Sequence, residues 1–124
     1  MNKYDLLQRT KAYALRVIKI VQALPRGDVT PVIGRQLLRA GTSVGANYRA
    51  ACRAKSTADF VNKLKIVEEE CDESIYWMEL LIEAGLLPLP RLEALMKEGD
   101  ELLSICVSAI KTTRATSPAV NRNS

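Results

Sequence analysis

The feature that most constrains the fold is a strictly periodic apolar stripe between residues 60 and 81. Its members recur at alternating steps of four and three residues, which is the spacing of an α-helix face that packs against other helices. They are Phe60, Leu64, Val67, Cys71, Ser74, Met78 and Leu81. The opposite face carries acidic residues, among them Glu69, Asp72 and Glu79. The stripe therefore predicts one long amphipathic helix that needs partner helices.

Proline and glycine divide the rest of the chain into three more segments with helical periodicity. We predict helices from about Tyr4 to Leu24, Thr30 to Ala54, Thr57 to Ala84 and Arg91 to Thr113. Thr30 is expected to cap the second helix before Pro31, and Ser56 to cap the third. Because the connections are short, the sequence predicts an all-α fold, an antiparallel up-down-up-down four-helix bundle. Residues 1–115 are expected to form this single domain, and residues 116–124 a flexible polar tail.

The chain contains no histidine, and this argues against several classes of enzyme. Cys-His and Ser-His nucleophile pairs are excluded, and so is the commonest metal ligand. The acidic run Glu68–Glu70 invites comparison with di-iron bundles, but their Glu-x-x-His motif is missing. The three cysteines are far apart, so they fit neither a zinc site nor a disulfide framework. We therefore predict no enzyme activity, catalytic residue, metal or cofactor, with a metal-carboxylate enzyme as a remote alternative.

The hydropathy of the chain bears on its location. No segment of about 20 consecutive apolar residues occurs, as a membrane-spanning helix would require. The first residues also lack the apolar core of a secretory signal peptide. We therefore expect a cytoplasmic protein with no membrane association.

A row of arginines marks the second predicted helix. Its members are Arg35, Arg39, Arg49 and Arg53. At 100° per residue they fall within an arc of about 80°, and no Asp or Glu occurs between Asp28 and Asp59. The charge of the chain is correspondingly asymmetric. Residues 1–55 carry 11 basic and 2 acidic side chains, whereas residues 56–124 carry 7 and 12.

A second line on the same helix is rich in glycine. It consists of Gly34, Leu38, Gly41, Gly45, Tyr48 and Cys52. Glycine in a helix interior costs about 1 kcal/mol relative to alanine, so the line predicts close approach of another backbone, in this bundle or in a neighbouring subunit. We assign the packing seam to Gly34, Gly41, Gly45 and Tyr48. With the wide apolar surface of the first helix, the seam predicts a bundle that also oligomerises.

The arginines have three interpretations. They can form an exposed edge without a partner, pair with acidic residues of the third helix, or bind the phosphates of a nucleic acid. For the second interpretation the expected partners are Glu70 and Glu73, in the same or an adjacent subunit. For the third, the basic surface consists of Arg9, Arg16, Lys19, Arg35, Arg39, Arg49 and Arg53. Such binding would depend on salt and read little sequence, because aromatic residues are scarce near the row.

Two blocks of the sequence resemble the 23S rRNA intervening-sequence proteins, or S23-like proteins, a family of four-helix bundles. The first block is Gln36–Arg49, with the sequence QLLRAGTSVGANYR. The second contains Ser56, Asp59, Phe60, Lys63, Leu64, Ile66, Glu70, Glu73, Tyr76 and Trp77. Arg9-Thr10 and Leu24-Pro25 also fit, so the resemblance covers about residues 4 to 85. The chain departs from the family pattern at Ala50, where a glutamate is common.

The resemblance implies a short antiparallel bundle assembled as a homopentamer around a central channel. It also implies a fold similar to that of the accessory variability protein of diversity-generating retroelements, which binds nucleic acid and a reverse transcriptase. From the resemblance we expect a homo-oligomer, with RNA or DNA and a protein such as a reverse transcriptase as further partners.

Our leading functional hypothesis is a non-enzymatic, oligomeric protein that binds the RNA or DNA backbone through the basic surface. The alternative is a structural or protein-interaction module with no role in nucleic-acid binding. Its arginines would form salt bridges within and between subunits. Arginines that face solvent favour the first hypothesis, whereas arginines within reach of carboxylates favour the second.

Overall fold

The computed structural model describes residues 1–116 of the 124-residue chain. They form four α-helices: α1 (Lys3–Gln22), α2 (Thr30–Cys52), α3 (Thr57–Glu83) and α4 (Leu89–Thr116). No strand occurs in this part of the chain, so the predicted all-α class is confirmed. The predicted helix bounds differ from these by at most three residues. Thr116 is the last residue of α4, and the rest of the predicted tail lies outside the described residues.

The first and third helices begin with side-chain caps. The Asn2 side chain accepts a hydrogen bond from the Asp5 N–H at 2.9 Å, and the Asp5 carboxylate accepts one from the Asn2 N–H. Ser56 caps α3 as predicted, because its Oγ accepts a hydrogen bond from the Asp59 N–H at 3.0 Å. Each cap satisfies N–H groups that have no partner within the helix.

The predicted cap of α2 is wrong. Thr30 is the first residue of the helix, and the capping position is Val29, whose side chain makes no capping hydrogen bond. Thr30 is buried. Its side chain therefore packs in the bundle as the first residue of α2 and does not act as a cap. Pro31 lies in the first turn as predicted, where its missing N–H removes no intrahelical hydrogen bond.

The third helix ends in a glycine turn. Gly85 has a φ of 74°, a left-handed conformation that glycine adopts without steric cost. Its N–H donates to the Ile82 carbonyl at 3.0 Å, and the Leu86 N–H donates to the Leu81 carbonyl at 2.9 Å. This pair of hydrogen bonds is the Schellman motif. It reverses the chain so that α4 returns along α3.

The helices pack as an antiparallel bundle in which neighbours in sequence are neighbours in space. α1 packs on α2, α2 on α3 and α3 on α4, whereas the contact between α1 and α4 is much smaller. The largest fully buried side chains include Tyr13, Leu37, Leu64, Met78, Leu81, Leu92 and Leu102. Six of the seven members of the α3 stripe are buried, and Phe60 at its start is half-buried. The periodic stripe is therefore the inner face of α3.

The glycine seam is closed by α1 of the same chain and by Leu24, two residues beyond its end. The contacts are Gly34 with Leu24, Gly41 with Val17, and Gly45 with Thr10. The closest is at Gly41, where a Cβ would lie 2.7 Å from a γ-carbon of Val17. At Gly45 the neighbour is backbone, since a Cβ would lie 3.2 Å from the Thr10 carbonyl oxygen. Tyr48, the fourth predicted member of the seam, has its side chain buried in the hydrophobic core.

A buried polar cluster joins α1, α3 and α4. The hydroxyl groups of Tyr13 and Ser74 are 2.7 Å apart, and Ser74 Oγ donates to the Cys71 carbonyl at 2.8 Å. The Tyr13 hydroxyl therefore donates to Ser74, and both side chains are fully buried. Burial raises the pKa of Tyr13 above its ordinary value, which keeps the donor protonated. Gly99 of α4 leaves space for this hydroxyl, because a Cβ there would lie 2.7 Å from it.

A double-mutant cycle tests this arrangement. Gly99→Ala is expected to lower the free energy of unfolding by about 1–3 kcal/mol, because the added Cβ overpacks the Tyr13 hydroxyl. In the Tyr13→Phe background the oxygen is absent, and the penalty should shrink by about 1 kcal/mol. Urea unfolding of the four proteins measures both values. Identical penalties in the two backgrounds would show that the hydroxyl does not occupy the space beside Gly99.

Candidate nucleic-acid interface

Three arginines project from the outer face of α2. The row that contains Arg35, Arg49 and Arg53 is centred about 180° around the helix from the buried Val44. All three side chains are exposed. Within residues 1–116, none of them has a carboxylate oxygen within 4.0 Å. Their charges are therefore directed away from the core and are not neutralised by the described part of the chain.

Arg39 belongs to the same row but contacts α3. Its Nη1 donates to Glu70 Oε2 at 2.8 Å, and its Nη2 donates to Glu73 Oε1 at 2.5 Å. The structure thus brings Arg39 together with both of the acidic residues that the sequence suggested, within one chain. Glu70 is 9% exposed, so its carboxylate needs a partner to offset the loss of hydration. Trp77 completes the group, because its indole N–H donates to Glu73 at 3.3 Å.

This ion pair predicts a pH dependence of stability. The hydrogen bond from Arg39 holds the pKa of Glu73 below its ordinary value. The ionised carboxylate therefore contributes stability above its unfolded-state pKa of about 4.3, and the contribution is lost as the pH falls through the folded-state pKa. Between about pH 6 and pH 3 the Arg39→Gln variant should lose less unfolding free energy than the wild type.

The matched control for this prediction is Arg35→Gln. Arg35 lies one turn before Arg39 and has no salt bridge to a carboxylate of residues 1–116. Its loss of unfolding free energy over the same pH range should equal that of the wild type. Urea unfolding at several pH values measures all three proteins. Parallel curves for the wild type and Arg39→Gln would contradict the assigned pair.

Arg9 is also paired, and the sequence did not indicate its partners. Its Nε and Nη2 donate to the two carboxylate oxygens of Glu98 at 2.9 and 2.5 Å, and Glu101 lies 3.6 Å from Nη2. The hydrogen bonding that Arg9 donates to Glu98 is the main reason that the pKa of Arg9 is raised. Arg9 therefore links α1 to α4. The only signal in the sequence was the spacing of three residues between two acids on one edge of α4.

Arg16 and Lys19, which were also predicted to contact nucleic acid, lie on α1, away from the arginine row of α2. Arg16 follows Arg9 by seven residues, so it lies on the same edge of α1, the edge that faces α4. Arg16 and Lys19 are exposed, but neither lines the groove between α1 and α2. Of the seven basic residues predicted from the sequence, only Arg49 and Arg53 are among the described residues that line this groove.

The structure instead groups basic residues along an open groove of about 840 Å³ between α1 and α2. The basic residues that line it are Lys3, Lys11, Arg49 and Arg53. Small or apolar residues such as Leu7, Ala14 and Gly45 also line it, and no Asp or Glu does. Neither lysine could be predicted from the sequence, because only the packing of α1 on α2 places them in the same groove as the arginines. We call this feature the α1–α2 groove.

Other chemistry has little support in the described residues. Within residues 1–116, no three His, Cys, Asp or Glu side chains are grouped as a metal site would require. Cys71 and Cys106 are buried, and burial raises the pKa of the Cys106 thiol to about 11. A thiol with such a pKa stays protonated and is a poor nucleophile at neutral pH. No helix in this range is long and apolar enough to cross a membrane.

These features define a small antiparallel four-helix bundle with a basic groove on its outer surface. A sequence model of the family described as 23S rRNA-intervening sequence protein matches residues 2–108. The chain therefore belongs to this family, as the resemblance of its two sequence blocks indicated.

A solved structure supports the assignment. It is the crystal structure of a protein of unknown function from the S23 ribosomal protein family of Bacteroides thetaiotaomicron VPI-5482. The two proteins are 35% identical, with a TM-score of 0.80, and the match covers 86% of this chain and 98% of the other. A comparison with curated proteins finds no match.

Proposed function

We propose that this protein is a non-enzymatic nucleic-acid-binding protein that contacts the phosphate backbone through the α1–α2 groove. The observation that carries the proposal is the set of four cations that line the groove, where no Asp or Glu is among the described lining residues. None of the four is in a salt bridge with a described residue. Ammonium and guanidinium groups without a carboxylate partner are available to phosphate oxygens. Arg35 extends the basic surface along α2.

We further propose that the protein works as a homo-oligomer, the pentamer that the family resemblance implies. Charge supports this, since the outer face of α3 is acidic whereas that of α2 is basic. Several large apolar side chains are also about half exposed in the single chain, among them Val29, Val32 and Tyr76. An assembly would align several grooves and let one nucleic acid contact more than one of them.

One observation favours the alternative function, a structural or protein-interaction module. Arg9 and Arg39 are two of the seven basic residues that were predicted to contact nucleic acid. Both instead form salt bridges between helices. Their charges hold the bundle together and are not available to a phosphate backbone. Under this alternative the remaining basic residues would pair with acidic residues of other subunits or of a partner protein.

Titration of the purified oligomer with labelled RNA and DNA across a salt series tests the proposal. Contact between four cations and four phosphates predicts that log K falls with log salt concentration with a slope of about −3. Affinity should then weaken by about 50-fold between 50 and 200 mM salt. Absence of binding at low salt, or binding that does not respond to salt, would contradict a phosphate-reading surface. Light scattering in the same buffers gives the mass of the binding species.

A further inference from the structure

We infer that the α1–α2 groove takes single-stranded nucleic acid, with one base stacked on the ring of Tyr4. The inference rests on the proposed function and specifies the strand state and the mode of contact. Duplex binding needs only exposed cations, whereas single-strand binding commonly adds an aromatic surface for the unpaired bases. The groove offers both, and its dimensions favour the single strand.

The register of the two helices brings the elements of this site together. Gly45 lies against Thr10, and the helices are antiparallel, so moving towards the start of α1 means moving towards the end of α2. Lys3 and Tyr4 are therefore beside Arg53, while Lys11 is beside the middle of α2. The groove-lining part of α1, from Lys3 to Leu15, is about 18 Å long at 1.5 Å per residue. This length accommodates a few nucleotides, with cations along both walls.

The width of the groove argues against a duplex inside it. The axes of two packed helices are about 8–10 Å apart, and the close approach at Gly45 keeps α1 and α2 near each other. A double helix is too wide to enter such a groove and could touch only its rims. A single strand can lie between the rims with its phosphates on the arginines and lysines and its bases turned towards the apolar lining.

Tyr4 is the tyrosine best placed to stack on a base. Its side chain is 71% exposed, and it lines the groove between the basic residues. The Lys3 ammonium lies over one face of the ring, 5.6 Å from its centroid, so we place the base on the opposite face, next to a cation that can meet a phosphate. Tyr13 and Tyr48 are buried. Tyr76 is exposed but stacks edge-on against its neighbour on the acidic helix α3.

The test compares one labelled oligonucleotide sequence as single-stranded RNA, as single-stranded DNA and as the duplex of each with its complement. We expect the single strands to bind at least about tenfold more tightly than the duplexes. Tyr4→Leu should weaken single-strand binding by about 5- to 150-fold, the range for loss of one stacked base. The slope of log K against log salt should stay the same, because the change removes no charge.

Two control variants define the outcome. Tyr4→Phe keeps the ring and should bind as the wild type, and Tyr76→Leu removes the exposed tyrosine of the acidic face and should also bind normally. Equal affinity for single strand and duplex, or unchanged affinity of Tyr4→Leu, would overturn the inference and leave a phosphate-reading groove in place. Failure of every nucleic acid to bind the wild type would instead overturn the proposed function itself.

Discussion

Replacing Gly41 with alanine is expected to lower the free energy of unfolding by about 2 kcal/mol, although alanine favours a helix by about 1 kcal/mol. A Cβ at this position would lie 2.7 and 2.8 Å from the two γ-carbons of Val17, which is fully buried. Valine in a helix has one strongly preferred rotamer, so its methyl groups cannot turn away cheaply. The two helices must therefore move apart and lose contact along the seam. Urea unfolding followed by circular dichroism measures the loss.

The Val17→Ala background is the matched control for this prediction. Val17→Ala removes both γ-methyl groups, so a Cβ at position 41 would no longer meet them. In that background only the Cβ of residue 17 remains close, at 3.0 Å, so the penalty of Gly41→Ala should shrink by about 1 kcal/mol or more. Equal penalties in the two backgrounds would show that Val17 is not the reason for a glycine at position 41.

Reversing two charges of the α1–α2 groove is expected to have the largest effect on binding. The variant Arg49→Glu/Arg53→Glu keeps Lys3 and Lys11 but brings the net charge of the four groove positions from four positive to zero. We expect affinity for nucleic acid at 50 mM salt to fall at least about tenfold, and the salt slope to become shallower than about −1.5. Both arginines are exposed and have no salt bridge in the described chain, so the fold should be unchanged.

The control Arg16→Glu/Lys19→Glu makes the same change in net charge on the part of α1 that does not line the groove. This variant should retain most of the wild-type affinity, since its altered side chains lie outside the proposed contact. Equal losses in both variants would indicate a response to overall charge without a defined groove. Full affinity of Arg49→Glu/Arg53→Glu would contradict the proposed function and favour the structural or protein-interaction alternative.

The helices could be predicted closely from the sequence because their determinants are local. Periodic apolar residues place α3, Ser56 provides its cap and Gly85 its end. The start of α2 was predicted less well. Threonine, serine and asparagine all favour capping positions, but burial of Thr30 in the bundle overrode that local preference.

The candidate site was predicted only in part, because the partner of a charged side chain is set by tertiary contacts. Arg35 and Arg39 are one turn apart on the same row, yet only Arg39 reaches the carboxylates of α3. Arg9 pairs with Glu98, 89 residues away in the chain. A helical wheel identifies the edge on which a residue lies, but it does not identify the helix that faces this edge.

The sequence by itself determined that this chain forms four amphipathic helices and that one of them carries a basic row and a glycine line. It also determined the family, that of the 23S rRNA-intervening sequence proteins. These properties depend on residue spacing within single segments, which the helix repeat converts directly into faces. Only the tertiary structure decided that the glycine line packs against α1 and that Arg9 and Arg39 form salt bridges. It also decided that Lys3 and Lys11 line the same groove as Arg49 and Arg53. These properties depend on the register between helices, which is set by how their side chains fit together in three dimensions.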